Sequence, residues 1–198
     1  MATSSNEAVA AGRRRLLLIV AVFAGPLLVA SAWFAIAPET VPRGGMNGDL
    51  IEPAQPLEAF EAPRGNGESY TLDDLRGHWT MLHPVKSECG DRCRERLYDT
   101  RQIHDALNED RIRVRRVAVA SEGRATGGLA SVLDEHPRLT VLTQPDGGEL
   151  ERQLPPTPAG TVLLIDPLGN LMMRFSPAAE PSGILDDLEH LLKASRVG

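Results

Sequence analysis

Apolar and polar positions divide the chain into unlike parts. Leu16 to Ala37, LLLIVAVFAGPLLVASAWFAIA, is 22 residues without a charge. At about 1.5 Å of rise per residue a helix of that length covers about 33 Å, enough for a bilayer core. Arg13, Arg14 and Arg15 precede the run, and Trp33 and Phe34 stand near its end. That flank and those interfacial aromatics predict one transmembrane helix over 16–37, with residues 1–15 in the cytoplasm. Gly25 and Pro26 can kink such a helix without preventing insertion. A cleaved signal peptide reads from the same residues, since ASA and AIA resemble small-residue cleavage sites, although the run exceeds the roughly 7–15 residues of a signal core. Both readings export the remainder of the chain. Pro38 to Gln55 is rich in Pro and Gly without an apolar period, and is predicted to be a flexible linker, 38–55.

Beyond the linker the pattern alternates between short apolar runs and helical spacing. Apolar stretches around RGNGE predict a β-hairpin, and TLDDL a short helical turn capped by Thr71. WTMLHPV is a compact strand that runs directly into SECGDRC. From Cys93, the positions Leu97, Thr100, Ile103 and Leu107 recur at three and four residues, which predicts a helix with one inward face. Val114 to Ala120 reads as a buried strand, GLASVLDEH as a short helix and RLTVLT as another strand. TVLLID and NLMMRF flank PLG as a hairpin, with Met172 and Met173 packed in it. In SGILDDLEHLLKAS, Ile184, Leu185, Leu188, Leu191 and Leu192 share a face, with Ser182 as N-cap. A βαβ crossover followed by an antiparallel hairpin predicts an α/β fold, a mixed sheet with helices on both faces.

Composition narrows the function classes. Of 198 residues, 42% are hydrophobic and 24% charged, the balance of a globular chain. After residue 37 there remain 18 basic and 26 acidic residues, a net charge of −8. With no aromatic–basic patch, nucleic acid is excluded as a partner. RIRVRR reads as the solvated entry to a strand, SEGRATGG as a polar loop. His78, His104, His136 and His190 read as solvated. There is no phosphate loop, GxSxG elbow or zinc spacing.

The chemistry therefore concentrates on Cys89 and Cys93, the only two cysteines. Residues four apart on a helix are neighbours, and a disulfide needs Cα atoms about 4.4–6.8 Å apart, so the pair can bridge. So short a loop makes a weak stability staple. A helix N-terminus with Lys86, Arg92 and Arg94 nearby favours thiolates, while Glu88 and Asp91 oppose it. As a redox pair, Cys89 in the loop is expected to be the more exposed, attacking sulfur and Cys93 the resolving one. As a metal pair, two soft thiolates suit Cu(I), with His83 on the preceding strand as a third ligand. The plainer alternative for His83 is a half-buried, hydrogen-bonded ring.

A strand entering a cysteine pair at a helix start, the LLIDPLGN hairpin and the last amphipathic helix resemble the thioredoxin fold. The CxxxC gap, the single anchor and LIDPLG narrow the likeness, over about Leu57 to Leu192, to the Sco/SenC group. Those are membrane-anchored thioredoxin-like proteins that help place copper in cytochrome c oxidase. The resemblance implies a thioredoxin-like domain at 56–196 and a copper site of both cysteines plus a histidine eight residues before the Asp of LIDPxG. Here that position, counted from Asp166, is Pro158, and Arg94 stands where the family has proline after the second cysteine. Thiol–disulfide oxidoreductases of the same fold keep a cis-proline opposite the cysteines, and Thr157–Pro158 matches that place. The resemblance thus implies a thiol–disulfide protein at the inner membrane, single-pass, its C-terminal domain in the periplasm or another extracytoplasmic space. Its partner would be a cytochrome c oxidase subunit or copper-site client. The alternatives are a Cu(I) chaperone with an incomplete ligand set and a non-catalytic assembly scaffold.

Overall fold

The computed structural model describes residues 45–85, 89–121 and 133–195, together with Leu129 and helical residues scattered between Arg13 and Ala32. The chain forms two compact units, Met1–Gly45 and Met46–Gly198. Within the first, the described positions of the expected span, including 20–26, are helical; its other positions lie outside the described residues. No helix among the described residues is long and apolar enough to cross a membrane.

The second unit is built on a six-stranded mixed sheet. In chain order its strands are β1 (Asp49–Pro56), β4 (Trp79–Val85), β5 (Val114–Ser121), β6 (Leu139–Gln144), β7 (Val162–Ile165) and β8 (Asn170–Phe175). Across the sheet they stand in the order β1-β8-β7-β4-β5-β6. A separate hairpin comprises β2 (Glu61–Pro63) and β3 (Ser69–Thr71). The helices are α1 (Leu72–Leu75), α2 (Asp91–Ala106), α3 (Glu149–Gln153) and α4 (Pro181–Ala194), with a 3₁₀ segment at Asn108–Arg113. β4 runs parallel to β5, β5 parallel to β6, and β4 antiparallel to β7.

Both faces of the sheet are covered, which is why β4 reads as an almost unbroken apolar run. On one face Met81, Leu164, Met173 and Phe175 pack with Ile103 of α2 and with Ile184, Leu188 and Leu192 of α4. On the other, Leu82, Leu163, Ile165 and Leu171 pack with Leu75 of α1, Tyr70 of the hairpin and Leu150 of α3. A bulge lets β8 serve both faces: Leu164 pairs with Met173 but Ile165 with Leu171, so Met172 is the extra residue. Pro84 survives in a central strand because β7 has already stopped pairing at Leu82.

Two expectations change. The predicted linker 38–55 ends in structure: Asp49 to Gln55 belong to β1, paired antiparallel with β8. Proline at 53 and 56 hides this strand from a pattern search, yet an edge strand tolerates proline. The N-cap of α4 is Glu180, with Pro181 as its first residue, rather than Ser182; proline's fixed φ suits the first helical turn. Most of the SEGRATGG loop lies outside the described residues; of the helix expected from GLASVLDEH, Leu129 and Leu133 are helical, 134–136 are not, and the other positions lie outside the described residues.

The start of β1 is fastened to α4. The Asp187 carboxylate, 1% exposed, accepts hydrogen bonds from the Asn47 amide at 2.8 and 2.9 Å, from Asn47 Nδ2 at 2.9 Å and from the Gly48 amide at 2.8 Å. Glycine is required on both sides of this contact. A Cβ on Gly48 would lie 2.6 Å from Phe175, and one on Gly183 2.8 Å from Asn47.

Candidate functional site

β4 delivers the chain to the cysteines at the C-terminal end of the parallel strands. α2 begins at Asp91 after the N-cap Gly90, so Cys93 is its third residue and Cys89 lies just outside it. The two form a disulfide with Cα atoms 5.1 Å apart. Arg94 Nε donates to the Cys89 carbonyl at 3.1 Å and fixes the loop over the helix start. Lys86, Ser87 and Glu88 lie outside the described residues.

The expected order of exposure is reversed. Cys89 is 1% exposed and packs with Val85, Leu97, Ala118, Ala120 and Leu129. Cys93 is the half-exposed sulfur. The reason is geometric: Cys89 is still on the path of the buried strand, while Cys93 has already turned with the helix towards the surface. At the third helical position Cys93 also meets the unpaired amides and positive potential of the helix N-terminus, which favour its thiolate.

His83 does not join the sulfurs. It is buried, and its Nε2 lies 3.2 Å from Thr100 Oγ1. That hydroxyl donates to the Arg96 carbonyl at 3.0 Å, which leaves its oxygen to accept from His83 Nε2 and, at 3.3 Å, from Arg116 Nη2. Thr100 is seven residues past Cys93, two turns or about 10 Å along α2. Burial, then the charges of Arg116 and Arg96 and the neighbouring His136, push the His83 pKa down to about 3. Among the described residues no three His, Cys, Asp or Glu side chains gather as metal ligands would. Among the described residues the donors therefore do not make up a three-ligand copper centre, and the expectation of His83 as third ligand is corrected to the hydrogen-bonded ring.

The Pro158 segment does come to the cysteine helix, in another conformation. Glu52–Pro53 is the one cis peptide bond among the described residues, so Thr157–Pro158, the candidate for the cis-proline place, is trans. Pro158 is exposed and opens a turn in which its carbonyl accepts from the Thr161 amide at 3.3 Å. Gly160 takes φ +85° in that turn, and a Cβ there would lie 3.3 Å from the Arg92 carbonyl. Arg96 secures the arrangement: buried, it donates from Nε to the Gly160 carbonyl at 3.2 Å and from Nη2 to those of Pro177 and Ala179 at 2.9 and 3.0 Å.

Arg96 and Arg116 are the residues that reading by type overlooks, and Thr100 was legible only as part of the inward face of α2. Arg96 and Thr100 stand three and seven positions after Cys93, the spacing of one helical face, and that spacing was the available signal. His104 and His136, read as solvated, are buried at 7% and 3%; His104 Nε2 lies 3.0 Å from the Val114 carbonyl. Burial lowers both of their pKa values.

Comparison with known proteins agrees with this geometry. A family model described as "Transmembrane-like, thioredoxin-like, C-terminal domain" matches residues 79–195. No curated protein matches the chain. Among solved structures, copper-bound ScoI from Arabidopsis thaliana is 20% identical, covers 70% of this chain and 98% of its own, and superimposes with a TM-score of 0.57. Apo Sco1 from Thermus thermophilus is 16% identical, with coverages of 75% and 96% and a TM-score of 0.59. BsSco, a Sco-family cytochrome c oxidase assembly protein with a disulfide switch, is 16% identical, with coverages of 74% and 99% and a TM-score of 0.56. These likenesses establish the fold.

Proposed function

We propose that this chain, which belongs to the family of transmembrane-like, thioredoxin-like C-terminal domains, is a membrane-tethered thiol–disulfide protein serving the assembly of a cytochrome c oxidase copper site. The observation that carries the reading is the disulfide itself, one sulfur buried and the other half-exposed at the mouth of α2. In the reduced chain the Cys93 thiolate attacks a client disulfide. The client S–S bond breaks, its leaving sulfur takes up a proton, and a mixed disulfide forms at Cys93. Cys89, giving up its proton, attacks Cys93 Sγ and releases the second client thiol. The client gains two electrons and two protons, and the pair is left oxidised, as seen here. A reduced dithiol partner returns it to the working form by the reverse exchange.

The Leu16–Ala37 run is the proposed anchor, and the oxidase client is suggested by the Sco proteins that share the fold. The same two sulfurs are soft donors, but with His83 committed to Thr100 the reduced chain is expected to yield Cu(I) to a competing chelator. Tight, one-to-one retention of Cu(I) that is lost in Cys89→Ser would turn the reading to a copper chaperone.

The test is attack order. Full-length Cys89→Ser, mixed with a disulfide-bonded client peptide, should accumulate a mixed disulfide at Cys93, whereas Cys93→Ser should accumulate none. Trapping through Cys89 in the Cys93→Ser chain would refute the assignment. In a strain lacking the protein, the double serine variant should fail to restore oxidase activity; full restoration would leave only a scaffold.

A further inference from the structure

At the end of the sheet opposite the cysteines, where the parallel strands begin, the chain folds around a pocket of about 460 Å³. Its walls carry Arg64, Arg111, Arg115, Arg116 and Arg138 against one acidic side chain, Asp74. Five of the chain's 21 basic residues thus converge on one concavity of a protein whose net charge is −6. The volume falls in the range of small-molecule sites.

The arginines differ in how far they are already engaged. Arg64 reaches the Asp74 carboxylate at 3.0 Å and lies 4.7 Å over the Tyr70 ring. Arg138 pairs with Asp105 at 2.9 Å. Arg115 donates to the Asp74 carbonyl at 2.7 Å. Among the described residues Arg111, Arg115 and Arg116 make no ion pair with a carboxylate. Arg116 is the most telling. It is 2% exposed, donates from Nη2 to the Leu97 carbonyl, and keeps a buried Nε without a partner. Turned inwards to Leu97 and Thr100 of α2, its guanidinium adds uncompensated positive charge behind the pocket wall, and the forks open to a ligand are those of Arg64, Arg111, Arg115 and Arg138.

We infer that this pocket binds a small multivalent oxyanion, a phosphate-bearing or polycarboxylate molecule, held by the arginine forks. Guanidinium groups match both oxyanions in a bidentate manner, and Thr140 on the same wall offers a hydroxyl for a further oxygen. A long polyanion is disfavoured, because the domain around the pocket repels it; a compact anion meets only the arginines. The site is distinct from the disulfide, since neither cysteine lines it and it lies where β5 and β6 begin, the end opposite the cysteines.

Calorimetric titration of the full-length chain in neutral detergent, at fixed ionic strength, tests this with pyrophosphate and with citrate. One-to-one binding of either supports the site, and the stronger of the two identifies phosphate or carboxylate as its natural group. Arg111→Glu should weaken that binding at least tenfold, and Arg138→Ala severalfold. Lys193→Glu, the same change of charge at an exposed side chain that does not line the pocket, should leave it within twofold. Saturable binding of neither anion would overturn the proposal. An equal loss in Lys193→Glu and Arg111→Glu would do so too, because attraction would then be to the overall field.

Discussion

Asp187 illustrates how a single side chain decides where a segment belongs. It is a charged residue in the middle of an amphipathic helix, and by pattern it should face water. Instead its two oxygens receive the Asn47 and Gly48 amides and the Asn47 side chain, binding the chain before β1 to α4. Removing the carboxylate would leave two partly buried amides unpaired, at about 1–3 kcal/mol each. Asp187→Ala is therefore expected to lose about 3 kcal/mol in urea unfolding, and Asp187→Glu somewhat less; a loss below about 1 kcal/mol in Asp187→Ala would contradict the clamp. Arg96 acts similarly between α2 and the turns at Gly160 and Ala179. Arg96→Met keeps its length but not its donors, and should lower stability by about 2–4 kcal/mol. The same variant should alter the rate at which Cys93 reacts with a small disulfide, because the turn against Arg92 is released. At this scale the sequence was only partly legible. Cys89 and Cys93 are visible at once as the chain's sole sulfur pair of this kind, but which one is buried depends on where strand ends and helix begins. Loop residues look exposed by type, and Cys89 belongs to the strand's path.

Elements were far more legible than partners. The runs read at Trp79 to Val85, at Val114 to Ala120 and over Ile184 to Leu192 each lie within an element of the expected kind, because burial on a sheet or along one helix face writes a repeating signal. β1 carries no such signal: it is largely exposed, interrupted by prolines, and stands only because β8 and Asp187 hold it. The Thr71 turn was readable because capping is local, and Asp74 accepts from the Thr71 amide at 2.8 Å. The disulfide also operates at this scale, linking a strand exit to the first turn of α2 without bridging distant elements. Closing so short a loop restricts the unfolded chain little, by about 2 kcal/mol on the loop-entropy relation. The reduced protein should accordingly stay folded, with an unchanged far-ultraviolet circular dichroism spectrum and a loss of no more than about 2 kcal/mol. Unfolding on reduction would make the bond a staple and remove the basis for a redox cycle.

For the whole molecule, charge was the least legible property, since a net value conceals where charges gather. An acidic chain nonetheless holds a core region that is polar and positive, in which His83, Arg96, Thr100 and Arg116 meet between the sheet and α2. The His83 ring stays neutral in the folded protein down to about pH 3, but in the unfolded chain it takes up a proton near pH 6.5. Between those values the unfolded state binds more protons, so stability is complete above about pH 6.5 and is lost as the pH falls. His104 and His136, also lowered by burial, act with the same sign. Asp74, held below the usual carboxylate range by the Thr71 amide, adds its loss at lower pH. Asp99, raised by burial, works the other way through the carboxylate range. From His83 alone, lowering the pH from 7 to 5 should remove about 2 kcal/mol of unfolding free energy. His83→Gln, which has no proton to gain, should be less stable at pH 7 yet show a slope shallower by that amount. Urea unfolding of both chains at the two pH values measures the difference directly, and parallel losses would show that the buried ring is protonated in the folded protein after all.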